Sequence, residues 1–124
     1  MELNCENEVY EIDGKRFPCC TSITMGYIGG KWKMVILYHL KDGARRYNAL
    51  KKAMPLVTER TLSLQLKALE EDGIISRKVY VEKPPMKVEY QLTDFGEGLI
   101  PLLNEIAKWG MKTAVKKAKV VSLT

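Results

Sequence analysis

Between Thr58 and Gly73 the chain specifies one complete helix, with its start, its buried face and its stop. Thr58 is a strong N-cap, because its hydroxyl can accept from a free N–H of the first turn. Glu59 follows, where a carboxylate meets the positive end of the helix. Leu62, Leu66 and Leu69 are spaced four and three apart, so they stack on one side. Arg60, Ser63, Leu64, Lys67 and Glu71 fall on the other side, with Thr61 and Ala68 on a flank. Gly73 closes the helix at the C′ position. Upstream, Pro55 stops a shorter helix predicted over about 47–54, with Ala49, Leu50 and Ala53 inward. Downstream the pattern switches to period two. Ile75, Arg77, Val79 and Val81 alternate with Ile74, Ser76, Lys78 and Tyr80, and a return strand sets Val88, Tyr90 and Leu92 against Glu89 and Gln91. The connection between the strands is proline-rich and basic at both ends, at Lys83 and Lys87.

A short helix, a tight turn and a second helix make a helix-turn-helix, and a hairpin directly behind it makes the winged form. The predicted fold class is mostly α with a small β-hairpin wing, flanked by N- and C-terminal helices for dimerisation. Asp13-Gly14 between β-prone residues predicts a small hairpin over 8–18. A short helix is expected over 19–29, with Cys20, Ile23, Tyr27 and Ile28 on one side. The next, over about 31–41, is apolar nearly all round and belongs at the centre of the core. The last element starts at the cap Thr93 and carries the stripe Leu99, Leu103, Ile106 and Trp109. Pro101 should kink or shorten it, and the Lys-rich tail from Met111 should fray. The expected division is an arm with a hairpin at 1–18, the winged helix-turn-helix at 19–110 and a tail at 111–124.

The chain has 124 residues, 46% of them hydrophobic and 28% charged, which suits one folded domain. No apolar run approaches the roughly 20 residues of a membrane span. Residues 1–11 hold four acids and no base, with no apolar stretch behind them, so the expectation is a cytoplasmic protein without a secretory signal. The net charge is +5, and all of that excess is found in residues 41–87, which hold 11 basic and 6 acidic side chains. A basic segment between near-neutral ones points to a polyanion, or to a solvated face.

With these elements in place the chain resembles the HxlR family of bacterial winged helix-turn-helix transcription regulators, within the broader MarR-like group. The resemblance is carried by Cys19 followed by Ile28-Gly29-Gly30-Lys31-Trp32, by Gly43-Ala44-Arg45-Arg46-Tyr47, and by Thr58, Arg60, Leu62, Leu66, Leu69, Glu70, Asp72 and Gly73. Val88-Glu89-Tyr90-Gln91-Leu92-Thr93 after Pro84-Pro85, the stretch Ile100 to Leu103, and Trp109-Gly110 extend it. It covers about residues 19–110. One departure is Cys20, where the family often has proline directly after its cysteine.

The expected function is a sequence-specific DNA-binding regulator, a repressor, bound as a homodimer to a pseudo-palindromic operator in double-stranded DNA. The alternative is a winged-helix protein-interaction module that does not touch DNA. Arg60, Thr61, Ser63, Leu64, Gln65 and Lys67 form the expected reading face, with Thr58 at its start. Arginine suits guanine, glutamine suits adenine, and a leucine can touch a thymine methyl. Arg46 and Tyr47, at the start of the preceding helix, suit phosphate contact, as do Lys83 and Lys87 on the wing. Arg46 reads equally well as an ordinary surface arginine. The resemblance implies a thiol sensor of oxidants or electrophiles at Cys19. A cysteine at a helix start is made reactive by the N–H groups there, and the competing reading is a small packing residue. Ile23, Leu99, Leu103, Ile106 and Trp109 are the expected dimer interface. No cofactor or metal is expected. An enzyme is not expected either: the single histidine, His39, is on a largely apolar helix, and no base is positioned for Cys19.

Overall fold

A computed structural model of the chain describes residues 8–81, 83–84 and 87–122. The arm 1–7 with Cys5, and Pro85 and Met86 of the wing connection, lie outside the described residues. The element order is β1 (Tyr10–Ile12), β2 (Lys15–Phe17), α1 (Cys20–Ile28), α2 (Lys33–Leu40), β3 (Arg45–Arg46) and α3 (Tyr47–Ala53). Then come α4 (Glu59–Glu71), β4 (Ile75–Val81), β5 (Lys87–Leu92), α5 (Asp94–Glu97) and α6 (Ile100–Lys117).

Most of this follows the residue pattern. The β1–β2 hairpin turns at Asp13 and Gly14, both at positive φ (49° and 81°), as a two-residue turn that follows the strand twist requires. Leu62, Leu66 and Leu69 are all buried, and they meet Ile36, Leu37 and Leu40 of α2 in one core with Leu50, Ile74 and Ile75. α2 is the central helix, although Tyr38 on its outer side is 39% exposed. Ala49 is exposed rather than inward, because Leu50 and Met54 supply the buried side of α3.

The sheet holds a strand the alternation did not show. Arg45 and Arg46 pair with Tyr90 and Glu89, giving the antiparallel order β3-β5-β4. Two residues are too few for any periodicity, so only the partner strand reveals it.

The C-terminal segment differs as well. Instead of one kinked helix there are two, α5 and α6, meeting at Gly98 and Leu99. Pro101 falls in the first turn of α6, where its missing N–H is not needed, so of the kink or shortening expected the helix shows the shortening, with the break just ahead of the proline. α6 then runs unbroken past 110 to Lys117, and the tail is helical where fraying was expected. Thr93 caps α5, its hydroxyl accepting from Gly96 N–H at 3.1 Å and facing the carbonyls of Gly73 (2.6 Å) and Ile74 (3.1 Å). The start of α5 is thereby fastened to the turn that ends α4.

Gly96 is buried at this junction, and a Cβ there would run into the backbone carbonyl of Ile74. Gly96→Ala is expected to destabilise the fold by about 1–3 kcal/mol, since backbone cannot step aside as a side chain does. Gly110→Ala, in α6 with nothing within 4 Å of the added carbon, should stabilise by roughly 0.5–1 kcal/mol. Urea unfolding of the two variants checks the opposite signs.

His39 is half-buried on α2, edge-on to Tyr38 at 5.9 Å. Burial, and then the charge of Arg45, push its pKa below the ordinary histidine value. The unfolded chain therefore binds a proton more readily than the folded one, and stability rises with pH in that window. It should be lost as pH falls from about 6.5 through the lower folded value. Thermal unfolding at pH 7.5 and pH 5.5 should show a smaller acid loss in His39→Gln than in the parent chain.

Candidate nucleic-acid interface

The helix-turn-helix is α3, the turn 54–58 and α4. Its outer face is built by subtraction. Three leucines take the inner side of α4, so Arg60, Ser63, Leu64 and Lys67 are left in solvent, with Thr61 and Gln65 half-buried at the edges. Leu64 is 55% exposed. Leu56, in the turn, is 72% exposed and was not singled out from sequence, since its place in the turn gives no periodic signal.

Four of the expected contact residues, Thr58, Thr61, Tyr47 and Ser63, are engaged within the motif. Thr58 caps α4: its hydroxyl accepts from Thr61 N–H at 3.1 Å and donates to Thr61 Oγ1 at 3.0 Å. Tyr47, at the start of α3, reaches across to α4. Its hydroxyl donates to the Glu59 carbonyl at 3.2 Å and accepts from Ser63 Oγ at 3.5 Å. Tyr47 is thus a brace between the two helices. Removing the hydroxyl by Tyr47→Phe should weaken binding to operator DNA roughly threefold to tenfold, the worth of one net hydrogen bond. Fluorescence anisotropy on labelled duplex would measure it, with unchanged affinity counting against the brace.

The wing stands beside this face. Arg46 is the N-cap of α3 and belongs to β3. Its guanidinium lies 4.0 Å from Glu89, with the side chain 56% exposed, so it is oriented and still open to a phosphate. Glu89 also accepts from the Tyr80 hydroxyl at 3.2 Å, and the Lys78 ammonium sits 4.8 Å over the Tyr80 ring. Glu89 was missed from sequence because its partners depend on the β3–β5 and β4–β5 registers. Lys83 and Lys87 are both exposed at the wing.

Residues 27–118, which include this exposed basic helix face and the three-stranded sheet beside it, match the HxlR-like helix-turn-helix family. The chain belongs to it. An uncharacterized HTH-type transcriptional regulator of Bacillus subtilis, YdeP, is 50% identical over 94 residues, spanning 76% of this chain and 73% of that relative. Among solved structures, the redox regulator HypR in its oxidized form superimposes with a TM-score of 0.71 at 45% identity, over 76% of this chain and 96% of that one. HypR in its reduced form gives 0.70 at 44% identity, over 74% and 90%.

In this HxlR-like chain Cys19 is the N-cap residue of α1 and is half-buried, as is Cys20. The Ser22 hydroxyl accepts from Cys19 N–H at 3.3 Å and donates to the Cys19 carbonyl at 2.7 Å, which fixes the helix start around the thiol. The expected interface residues separate into two groups. Leu103 is 2% exposed within the single chain and Leu99 packs on the core, so they hold α6 onto its own subunit. Their stripe runs on as Ile106 and Trp109, 46% and 72% exposed, with Leu102 alongside. Ile23 is half-buried and lines a cavity beneath the β1–β2 hairpin. None of the helices among the described residues is long and apolar enough to cross a membrane.

Proposed function

We propose that the protein is a homodimeric transcription regulator that binds double-stranded operator DNA sequence-specifically through α4, with Arg46 and the wing lysines on the flanking phosphates. The observation that carries this is the exposed face Arg60, Ser63, Leu64 and Lys67, held in place by the leucines behind it and by Tyr47. Arginine, serine and lysine on a helix that can enter the major groove supply base readout and charge together. Two-fold pairing is supported by the unburied end of the α6 stripe, Ile106 and Trp109, which a second copy would cover. Pairing would place two α4 helices about 34–36 Å apart, one turn of duplex.

Thiol control at Cys19 is part of the same reading. It is supported by the position of Cys19 at the start of α1 and by the likeness to HypR, named a redox regulator. The test is footprinting on the chain's own upstream region across a salt series, with and without a thiol oxidant. A protected site with two-fold symmetry, weakening steeply with salt and responding to oxidant in the parent but not in Cys19→Ser, is the expected result. Equal affinity for random duplex would overturn DNA recognition. A reporter on that region, rising when the regulator is deleted, would establish repression.

A further inference from the structure

A cavity of about 440 Å³ lies between the β1–β2 hairpin, α1 and α5, walled chiefly by Ile12, Ile23, Tyr27, Ile74, Phe95 and Leu99. A second chamber of about 170 Å³ adjoins it, with Ile12 and Tyr27 common to both. That chamber is lined by Asp13, Glu71 and Asp72 against the single cation Lys15. Among the described residues no ion pair engages any of these four. Glu71 is the last residue of α4 and Asp72 its C-cap, and the last turn of α4 holds no basic residue. The C-terminal end of a helix carries partial negative charge and is stabilised by cations, and among the described residues Lys15 is the one cation lining the chamber at this end. The apolar chamber is edged by two rings, Tyr27 and Phe95, edge to face at 5.5 Å, with Phe95 60% exposed.

We propose that the paired chambers are a binding site for a small aromatic organic cation. Its ring system occupies the apolar chamber against Tyr27 and Phe95. Its charged group sits among Asp13, Glu71 and Asp72. The volume falls in the range of small-molecule sites, and aromatic faces add to the preference for positive charge. The walls come from the hairpin, α1, α5 and the C-terminal end of the recognition helix. An occupant therefore ties the hairpin to α4 and changes operator affinity; that consequence rests on the DNA-binding reading above.

The probe is naphthylmethyl-trimethylammonium, titrated calorimetrically into the full chain, with naphthalenesulfonate as the matched anion. Saturable binding of one ammonium per chain and none of the sulfonate is expected. Asp13→Asn with Glu71→Gln replaces two solvent-exposed carboxylates by isosteres, and should weaken binding at least about tenfold, as loss of charge-assisted contacts does. Phe95→Ala, on an exposed ring, should weaken it as well. No saturable binding, equal affinity for the sulfonate, or unchanged affinity in the double variant would overturn the site. In the second arm the ammonium should lower operator affinity for the parent and not for the double variant. Binding with unaltered operator affinity would overturn the effector role. Absence of operator binding before any probe is added would instead overturn the DNA-binding reading.

Discussion

Reversing both cations of the recognition face, Arg60→Glu with Lys67→Glu, is expected to reduce operator affinity by at least about a thousandfold at moderate salt. Both side chains are exposed and neither makes an ion pair among the described residues, so the substitution leaves the core untouched. The loss has two parts. A base contact by arginine is worth about 1–3 kcal/mol of discrimination. Each phosphate contact removed also lowers the steepness of log K against log salt by about 0.9. Anisotropy titrations over a salt series separate them, because only the second part changes the slope. Unchanged affinity, with the thermal midpoint preserved, would leave the protein-interaction alternative standing.

The second large effect is on stability. Leu66→Ala should destabilise the fold by about 2–5 kcal/mol, because Leu66 is 1% exposed and its removal leaves a void among α2, α4 and the sheet. A domain of this size has roughly 5–15 kcal/mol in total, and each kcal/mol moves the midpoint by about 4 °C, so a drop of about 8–20 °C is expected. Leu64→Ala, two residues earlier and 55% exposed, should stay within about 0.5 kcal/mol. The same two variants should exchange ranks on DNA, since Leu64 belongs to the proposed reading face and Leu66 does not. Circular dichroism melts and anisotropy on one pair of proteins check both halves.

The sequence was most informative where one helix turn or one strand alternation repeats. The stripe Leu62, Leu66, Leu69 and its caps are legible because period, start and stop agree, and the reading face follows as what remains. The HxlR-like resemblance rested on those same residues and on their order. Interactions between elements were not legible. Tyr47 reads only as a residue for phosphate contact, since its hydrogen bond to the Glu59 carbonyl depends on how α3 packs against α4. Arg46 reads as a helix start, which it is, but that Arg45 and Arg46 also pair with Tyr90 and Glu89 depends on a strand far along the chain. Leu103 looks like interface in a one-dimensional stripe, and only the packing of α6 on α2 shows that the stripe passes from core to surface along its length. Pro101 illustrates the same limit: a proline's effect depends on which turn of the helix it occupies, and that was set by Gly98 and Leu99 ahead of it.

The clasp that Thr93 makes on the carbonyls of Gly73 and Ile74 has a mechanical consequence. It joins the tail end of the reading helix to the base of the long C-terminal rod through a link only a few residues long. In the pairing proposed above, a partner's grip on the bare outer half of that rod at Trp109 would therefore bear on the pitch of α4. In a two-fold pair the grip of each subunit on the other would then set the stride between the two reading heads. A site with one base pair more or less at its centre would be rejected by geometry before any base edge is touched.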